Sequence, residues 1–571
     1  MKRLLVTALG LVFNFLSSYC QSVEWLTEIK SYLSENIREG VLSNDGYIYL
    51  TGAIGADGET HFGNTVSQAF PSIMPHNVCF TAKYDSLGNF IWLKLGGGPG
   101  GGFNGNAGIN GNGGESITVD ETQNIYTAGF CSGNACFDSI CLGSPANGEK
   151  NLLLKYDSGG NIKWAKRYGG VTNGSVYDVD GSCLRYMDGY LYNFASSFVN
   201  GPFTFYNTTI NPGNNTAQIL YLTKFDTAGN FLFVKEIARS HYSNLIIKDA
   251  IPLNDNLYVT GFYMHDITVG STNYQIPLPK AQSFMAKYSS SGDLIWFKFL
   301  SSNKDMNFIM DIDLDDQQNI LASGIYYDTL IVDSAVFINP SGSYPYSFLC
   351  KFDTAGNVIW NQNFYGPGYV RNSAVCHVHD TIFMSGYYSG YLHAGNQIVS
   401  SLTGESLFIL KLDKLGNAVK AETYGEKDHV DVISMIKDAE NKLYFIGEYL
   451  NSTVIGPYHL FADSSPGIHN YTDGYIFKYD PWGAPSSVFS ENNTQQYLKF
   501  YPNPFFNQFT TIVSTKEPVT ITFYDILSQK ILQETFTTST TINTEHQPIG
   551  MYVFELRNDK GIMATGRIIK Q

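Results

Sequence analysis

The chain has 571 residues and a formal charge of −15. It is too long for one ordinary hydrophobic core, and its charge has the wrong sign for nucleic-acid backbones or anionic membranes as partners. Gly, Tyr and Phe are abundant (55, 39 and 38 copies) and no Ala/Glu/Leu/Lys-rich helical block occurs, so β structure in repeats or several domains is expected.

The first 20 residues are expected to be an export signal. Lys2 and Arg3 precede an apolar run from Leu4 to Phe15, and Ser18 and Cys20 are small residues before a cut at Gln21. Lipidation of Cys20 is the rival reading, and Tyr19 fits it poorly. No later segment has the roughly 20 apolar residues of a membrane-spanning helix. Export permits disulfides. Of the cysteines beyond the signal, Cys131, Cys136 and Cys141 are clustered, with one local disulfide as an open option. Their spacing matches no common zinc pattern.

From Lys83 onward a pattern recurs: KYDSLGNFIW at Lys83, KYDSGGNIKW at Lys155, KFDTAGNFLF at Lys224, KYSSSGDLIW at Lys287, KFDTAGNVIW at Lys351 and KLDKLGNAVK at Lys411. A truncated copy, KYDPWG, begins at Lys478. The period is roughly 60 to 70 residues, the mark of a repeat architecture. A second pattern keeps step with it, an alternating apolar run ending in Gly at Gly52, Gly129, Gly261, Gly324, Gly386 and Gly447, with a degenerate copy near Tyr190.

Alternation predicts half-buried strands, and Asp-x-x-Gly-Asn predicts a hairpin turn in which Asp caps local N–H groups and Gly takes positive φ. In the second unit the predicted strands are Glu115–Asp120, Asn124–Cys131, Leu152–Asp157 and Asn161–Tyr168. Seven four-stranded units imply an all-β, seven-bladed β-propeller. Pro481 and Pro485 interrupt the place of the last fourth strand, and Val23–Thr27, with Trp25, is expected to supply it from the other end of the chain. Over roughly residues 23 to 488 the repeats resemble the secreted bacterial seven-bladed (SBBP-type) propeller family.

The predicted organisation is a signal peptide over 1–20, the propeller over 21–488, a linker over 489–498 and a small C-terminal antiparallel β-sandwich over 499–571. This last region carries Tyr501-Pro502-Asn503-Pro504, then Gly550 and Tyr552, and finally Lys570. In order, spacing and terminal position it closely resembles the type A C-terminal sorting domain of the type IX secretion system. The resemblance implies the secretion machinery as a partner and a secreted or outer-membrane-surface location.

No nucleophile elbow, zincin, phosphate-loop or paired-CxxC motif is present, and no catalytic residue is assigned. Asp311, Asp313 and Asp315 alternate into a turn with Asn319, a loose calcium-loop pattern without its Gly. No other cofactor is expected. His377 and His379 have ligand-like spacing but adjoin a turn. The Gly-rich stretch Gly96 to Gly114 lacks the Lys and helix of a phosphate cradle.

Three functions stay open. Aromatic-rich loops such as Tyr326-Tyr327 and Tyr387-Tyr388 favour a non-catalytic binding or adhesion module for an extracellular glycan or protein. A structural component of the envelope or matrix is the second. A glycosidase or lyase with carboxylates in the channel is the third.

Overall fold

The computed structural model describes residues 23–31, 35–54, 59–63, 65–69, 78–98, 112–143, 150–171, 175–212, 216–241, 244–276, 280–302, 306–341, 343–425, 428–462, 472–482, 498–501, 507–513, 517–524, 529–548, 550–558 and 561–570. All the named elements are strands. The chain divides into two compact units, one of Trp25–Ile455 with His459–Lys478, the other of Met1–Glu24, Gly456–Tyr458 and Tyr479–Gln571.

In the first unit the alternating apolar runs fold into seven antiparallel sheets, each with four repeat strands and three of them extended to six strands by a hairpin. Repeat two shows the plan: Gly113–Val119, Ile125–Cys131, Lys150–Tyr156 and Ile162–Tyr168 pair in chain order, close to the strands expected from sequence. Second strands such as Ile125–Cys131 are buried at every position, whereas fourth strands such as Leu294–Leu300 are half-exposed. The seven first strands are Glu35–Leu42, Gly113–Val119, Ser175–Met187, Leu245–Leu253, Asn307–Leu314, Val370–Val378 and Val430–Lys437. Each packs against the next, and the seventh packs against the first.

Every first strand contains a register-shifting bulge. The glycine that ends the second sequence pattern makes room for it. A Cβ on Gly52, Gly129, Gly261, Gly324, Gly386 or Gly447 would sit 2.0 to 2.3 Å from a first-strand carbonyl oxygen. In repeat three Ser196 pairs with Asp180 at the corresponding place, which is why that copy of the pattern is degenerate.

The Asp-x-x-Gly-Asn insert is the expected turn. Asp85 Oδ1 accepts the backbone N–H groups of Leu87 and Asn89, and Asp157, Asp226, Asp353 and Asp413 repeat the arrangement. In four repeats a Trp reaches the turn of the next. Trp92 Nε1 donates to Ser158 O at 3.3 Å, Trp164 to Thr227 O, Trp296 to Thr354 O and Trp360 to Lys414 O.

Val23–Ser31 is hydrogen-bonded beside Thr472–Tyr479, in the fourth-strand position of repeat seven, as expected. Trp25 Nε1 donates to Ser86 O at 3.1 Å, the contact the other tryptophans make.

A feature not anticipated is a β-hairpin between the second and third strands of each repeat. Six have separate arms: Glu59–Phe62 with Thr65–Ala69, Cys136–Phe137 with Ile140–Cys141, Phe203–Phe205 with Thr208–Ile210, Asp266–Val269 with Thr272–Gln275, Thr329–Val332 with Ala335–Ile338, and Ser452–Ile455 with Tyr458–Phe461. In repeat six the long strands Thr381–Ala394 and Gln397–Asp413 form it themselves. Each hairpin bonds to the chain at the end of the preceding repeat's fourth strand, through pairs such as Cys136–Gly97, Thr268–Arg239 and His393–Tyr365. The first hairpin does so on the N-terminal strand, through Phe62–Ile29. These contacts cover part of each sheet edge. Cys136 and Cys141 close one hairpin as a disulfide, while Cys79, Cys183, Cys350 and Cys376 are buried thiols.

In the second unit one sheet holds Leu498–Tyr501, Gln508–Val513 and Ser539–Asn543. The other holds Lys530–Phe536, Val519–Tyr524, Gly550–Asn558 and Gly561–Lys570. Phe509, Ile521, Phe523, Ile542 and Phe554 form one core between them. The expected signal segment, residues 99–111 of the Gly-rich stretch, and Pro502, Asn503 and Pro504 lie outside the described residues. Among the described residues no helix is long and apolar enough to cross a membrane.

Candidate functional site

The bulges turn polar side chains of all seven first strands into a shared cavity of about 450 Å³. Its charged lining includes Glu39, Arg185, Asp249, Asp311, Asp313 and Lys437. Arg185 bridges two carboxylates, at 2.9 Å to Glu39 and 2.5 Å to Asp249.

These groups do not face an open ligand space unpartnered; they join consecutive sheets. Glu39 accepts the N–H of Ile117 at 2.9 Å, and Ser116 Oγ accepts that of Leu184 at 2.9 Å. Arg185 Nε donates to Ala250 O at 2.6 Å. Asp249 accepts from Ile312 N at 3.2 Å, Asp311 from Val375 N at 2.7 Å and Asp313 from His377 N at 2.6 Å. Ser373 Oγ donates to Asp431, and Glu448 accepts from Ile37 N at 2.9 Å, which completes the seven junctions.

Burial, with the Asp249 charge beside it, pushes the Asp311 carboxyl well above the usual range. Burial raises Asp313 to about 6 and Glu448 to about 7. The backbone N–H groups that both accept oppose the rise.

The structure separates the aspartates of the calcium-loop pattern. Asp311 and Asp313 line the cavity, whereas Asp315 caps its own turn through Gln317 N and Asn319 N and pairs with Lys351 at 2.5 Å. That is the turn role of Asp120 and Asp438. The donor set therefore does not fit calcium, and among the described residues no three His, Cys, Asp or Glu side chains are grouped to hold a metal.

His377 is buried and His379 is exposed in a turn at φ 52°, so the two histidines do not share an exposed face. Tyr326 and Tyr388 are core residues, while Tyr327 is half-buried and Tyr387 is 8% exposed. Sequence reasoning missed Glu39, Arg185 and Asp249. For Glu39 and Asp249 the signal was a charged residue inside a short apolar first strand, next to the bulge that the repeat glycine permits; Arg185 lies three residues beyond the bulge of repeat three, where Ser196 stands in place of that glycine.

In the second unit Gly550 pairs with Lys570 at the rim of its sheet. Lys570 is 5% exposed, and its ammonium group donates to the carbonyls of Thr544 at 2.6 Å, Gln547 at 2.7 Å and Glu545 at 3.4 Å. The Tyr552 hydroxyl donates to Pro548 O in the same turn. Tyr501 ends a strand of the other sheet.

Residues 499–571 match the family described as the secretion system C-terminal sorting domain. The chain thus ends in a type IX sorting domain, which marks a secreted or cell-surface protein and implies interaction with that secretion machinery.

For the rest of the chain similarity is distant. An uncharacterized WD repeat-containing protein of Acanthamoeba polyphaga mimivirus is 23% identical over 30% of this chain, which spans 16% of that protein's length. A Synechocystis apocarotenoid oxygenase mutant is 12% identical with a TM-score of 0.34, covering 82% of this chain and 96% of that one. An α-L-arabinofuranosidase from Fusarium graminearum, in complex with an iminosugar inhibitor, is 10% identical with a TM-score of 0.32, covering 63% and 91%. At these values neither structure bears on the activity of this chain.

Proposed function

We propose that this chain is an exported seven-bladed β-propeller of the SBBP type, acting outside the cell as a non-catalytic binding or adhesion module for a glycan or protein. In this reading residues 1–20 are the signal peptide, 21–488 the propeller and 489–498 a linker. Residues 499–571 are a β-sandwich through which Tyr501, Pro502, Asn503, Pro504, Gly550, Tyr552 and Lys570 serve sorting. The single observation that carries the non-catalytic reading is the engagement of the axial carboxylates. Glu39, Asp249, Asp311 and Asp313 each accept a backbone N–H of another sheet. A glycosidase needs one such carboxyl free to move a proton and another free to attack or to activate water. The test is a glycan array run beside hydrolysis assays on the purified exported chain. Binding without turnover is expected; turnover abolished by Asp249→Asn or Asp311→Asn would overturn the reading.

A further inference from the structure

Exposed tyrosines gather at one end of repeats five and six. Tyr344 precedes the third strand of repeat five and is 47% exposed; Tyr365 directly follows the fourth and is 43% exposed; Tyr391 lies in the repeat-six hairpin and is 47% exposed. They are not scattered singly. Tyr365 stacks on His393, with centroids 5.0 Å apart and planes within 12°, and Tyr391 meets the same imidazole edge-on at 5.6 Å. Tyr344 lies 6.2 Å from Tyr369. The backbone fixes this layout. The Tyr365–His393 bridge docks the hairpin, and Gly366 leaves room for the Tyr391 carbonyl, which a Cβ would approach to 1.9 Å.

Behind the tyrosines is a built polar network. Glu405 is held by the Tyr369 hydroxyl and by His429 Nδ1. The Tyr387 ring stands 4.8 Å from His429 and nearly perpendicular to it, with the Arg371 guanidinium 5.7 Å from the Tyr387 centroid. Arg371 and His429 lie close enough to Glu405 and Asp431 to favour the charged form of both carboxyls.

We propose that the tyrosine strip of Tyr365 and Tyr391, with His393 in contact with both, is a binding site for a neutral oligosaccharide. This deepens, and rests on, the binding-module reading. A stacked aromatic face with hydroxyl tips matches a sugar, which presents C–H groups on one face and hydroxyls at its rim. Two rings and an imidazole in continuous contact offer more than one sugar-sized platform. A chain of net charge −15 offers no general attraction for a polyuronate. A protein partner would need about 800 Å² of complementary surface, far more than two exposed tyrosines offer.

The test is affinity electrophoresis of the exported chain through gels containing mannan, xylan or β-glucan, with polygalacturonate as the charged comparator. At least one neutral polysaccharide is expected to retard the protein. The double variant Tyr365→Ala, Tyr391→Ala should weaken that binding about tenfold. Its thermal melt should still be cooperative and fall only by the loss of the ring contacts to His393. Tyr206→Ala, an exposed tyrosine of repeat three, should leave binding unchanged. Retardation that survives the double variant would dismiss this site while the binding module stands. Retardation by polygalacturonate alone would dismiss the neutral class. If no polysaccharide retards the wild-type chain and no array glycan or protein ligand is bound, the site and the binding module fall together.

Discussion

In the described copies of the repeat turn a glycine stands where two requirements meet. Gly160 has φ +79°, and a Cβ on it would lie 3.0 Å from ring atoms of Trp92, the tryptophan of the preceding repeat. Gly88 against Trp25, Gly229 against Trp164 and Gly416 against Trp360 repeat the contact. The backbone strain of a non-glycine residue costs about 1–2 kcal/mol before any clash is counted. Gly160→Ala is therefore expected to destabilise the first unit by about 2 kcal/mol, read as a lowered midpoint in chemical denaturation. Gly189→Ala, at φ +83° with open space around its Cβ position, isolates the strain and should cost less. The requirement for positive φ is legible in the Asp-x-x-Gly-Asn motif. The second requirement is not, because the tryptophan it concerns belongs to another repeat.

The N-terminal strand does for repeat seven what Phe90–Gly97 does for repeat one. Trp25 caps the Ser86 carbonyl and packs on Tyr444 at 5.9 Å. Trp25→Ala removes a half-buried aromatic at the junction of the two chain ends and is expected to cost about 2–3 kcal/mol, below the range for fully buried tryptophans. The same change at Trp360, inside the series, should cost a similar amount in equilibrium unfolding. Hydrogen exchange should separate the two: Trp25→Ala is expected to expose Val23–Ser31 and Thr472–Tyr479 first. Sequence placed this strand, because an orphaned Trp segment and a proline-interrupted last repeat are complementary. It did not reveal the seven hairpins, whose short arms carry too little periodicity to be read and which gain order by bonding to the preceding sheet.

At the scale of the molecule, two sets of carboxyls titrate in opposite senses. Burial raises Asp313 to about 6 and Glu448 to about 7, against about 4 in an unfolded chain. The fold favours their protonated forms, so their contribution is complete below about pH 4 and is lost as pH rises through about 6 to 7. For the turn aspartates Asp226 and Asp413, burial works upward, but hydrogen bonds from Asn230 and Asn417 outweigh it and hold both below the usual range. Their contribution is present above about pH 4 and is lost as pH falls below it. The melting temperature of the exported chain should therefore peak near about pH 4 and fall from there to about pH 7, and Asp313→Asn with Glu448→Gln should flatten that fall. A flat profile from about pH 4 to 8 in the wild type would contradict this balance. Sequence alone determined the all-β class, the repeat, its turns and the sorting tail, because each rests on patterns of residues close together in the chain. Only the tertiary structure decided what Glu39, Arg185 and Asp249 do, that Asp315 parts from Asp311 and Asp313, and that tyrosines of two repeats form one strip. Those facts depend on which strand lies beside which, and on a bulge that turns a side chain from one face to the other.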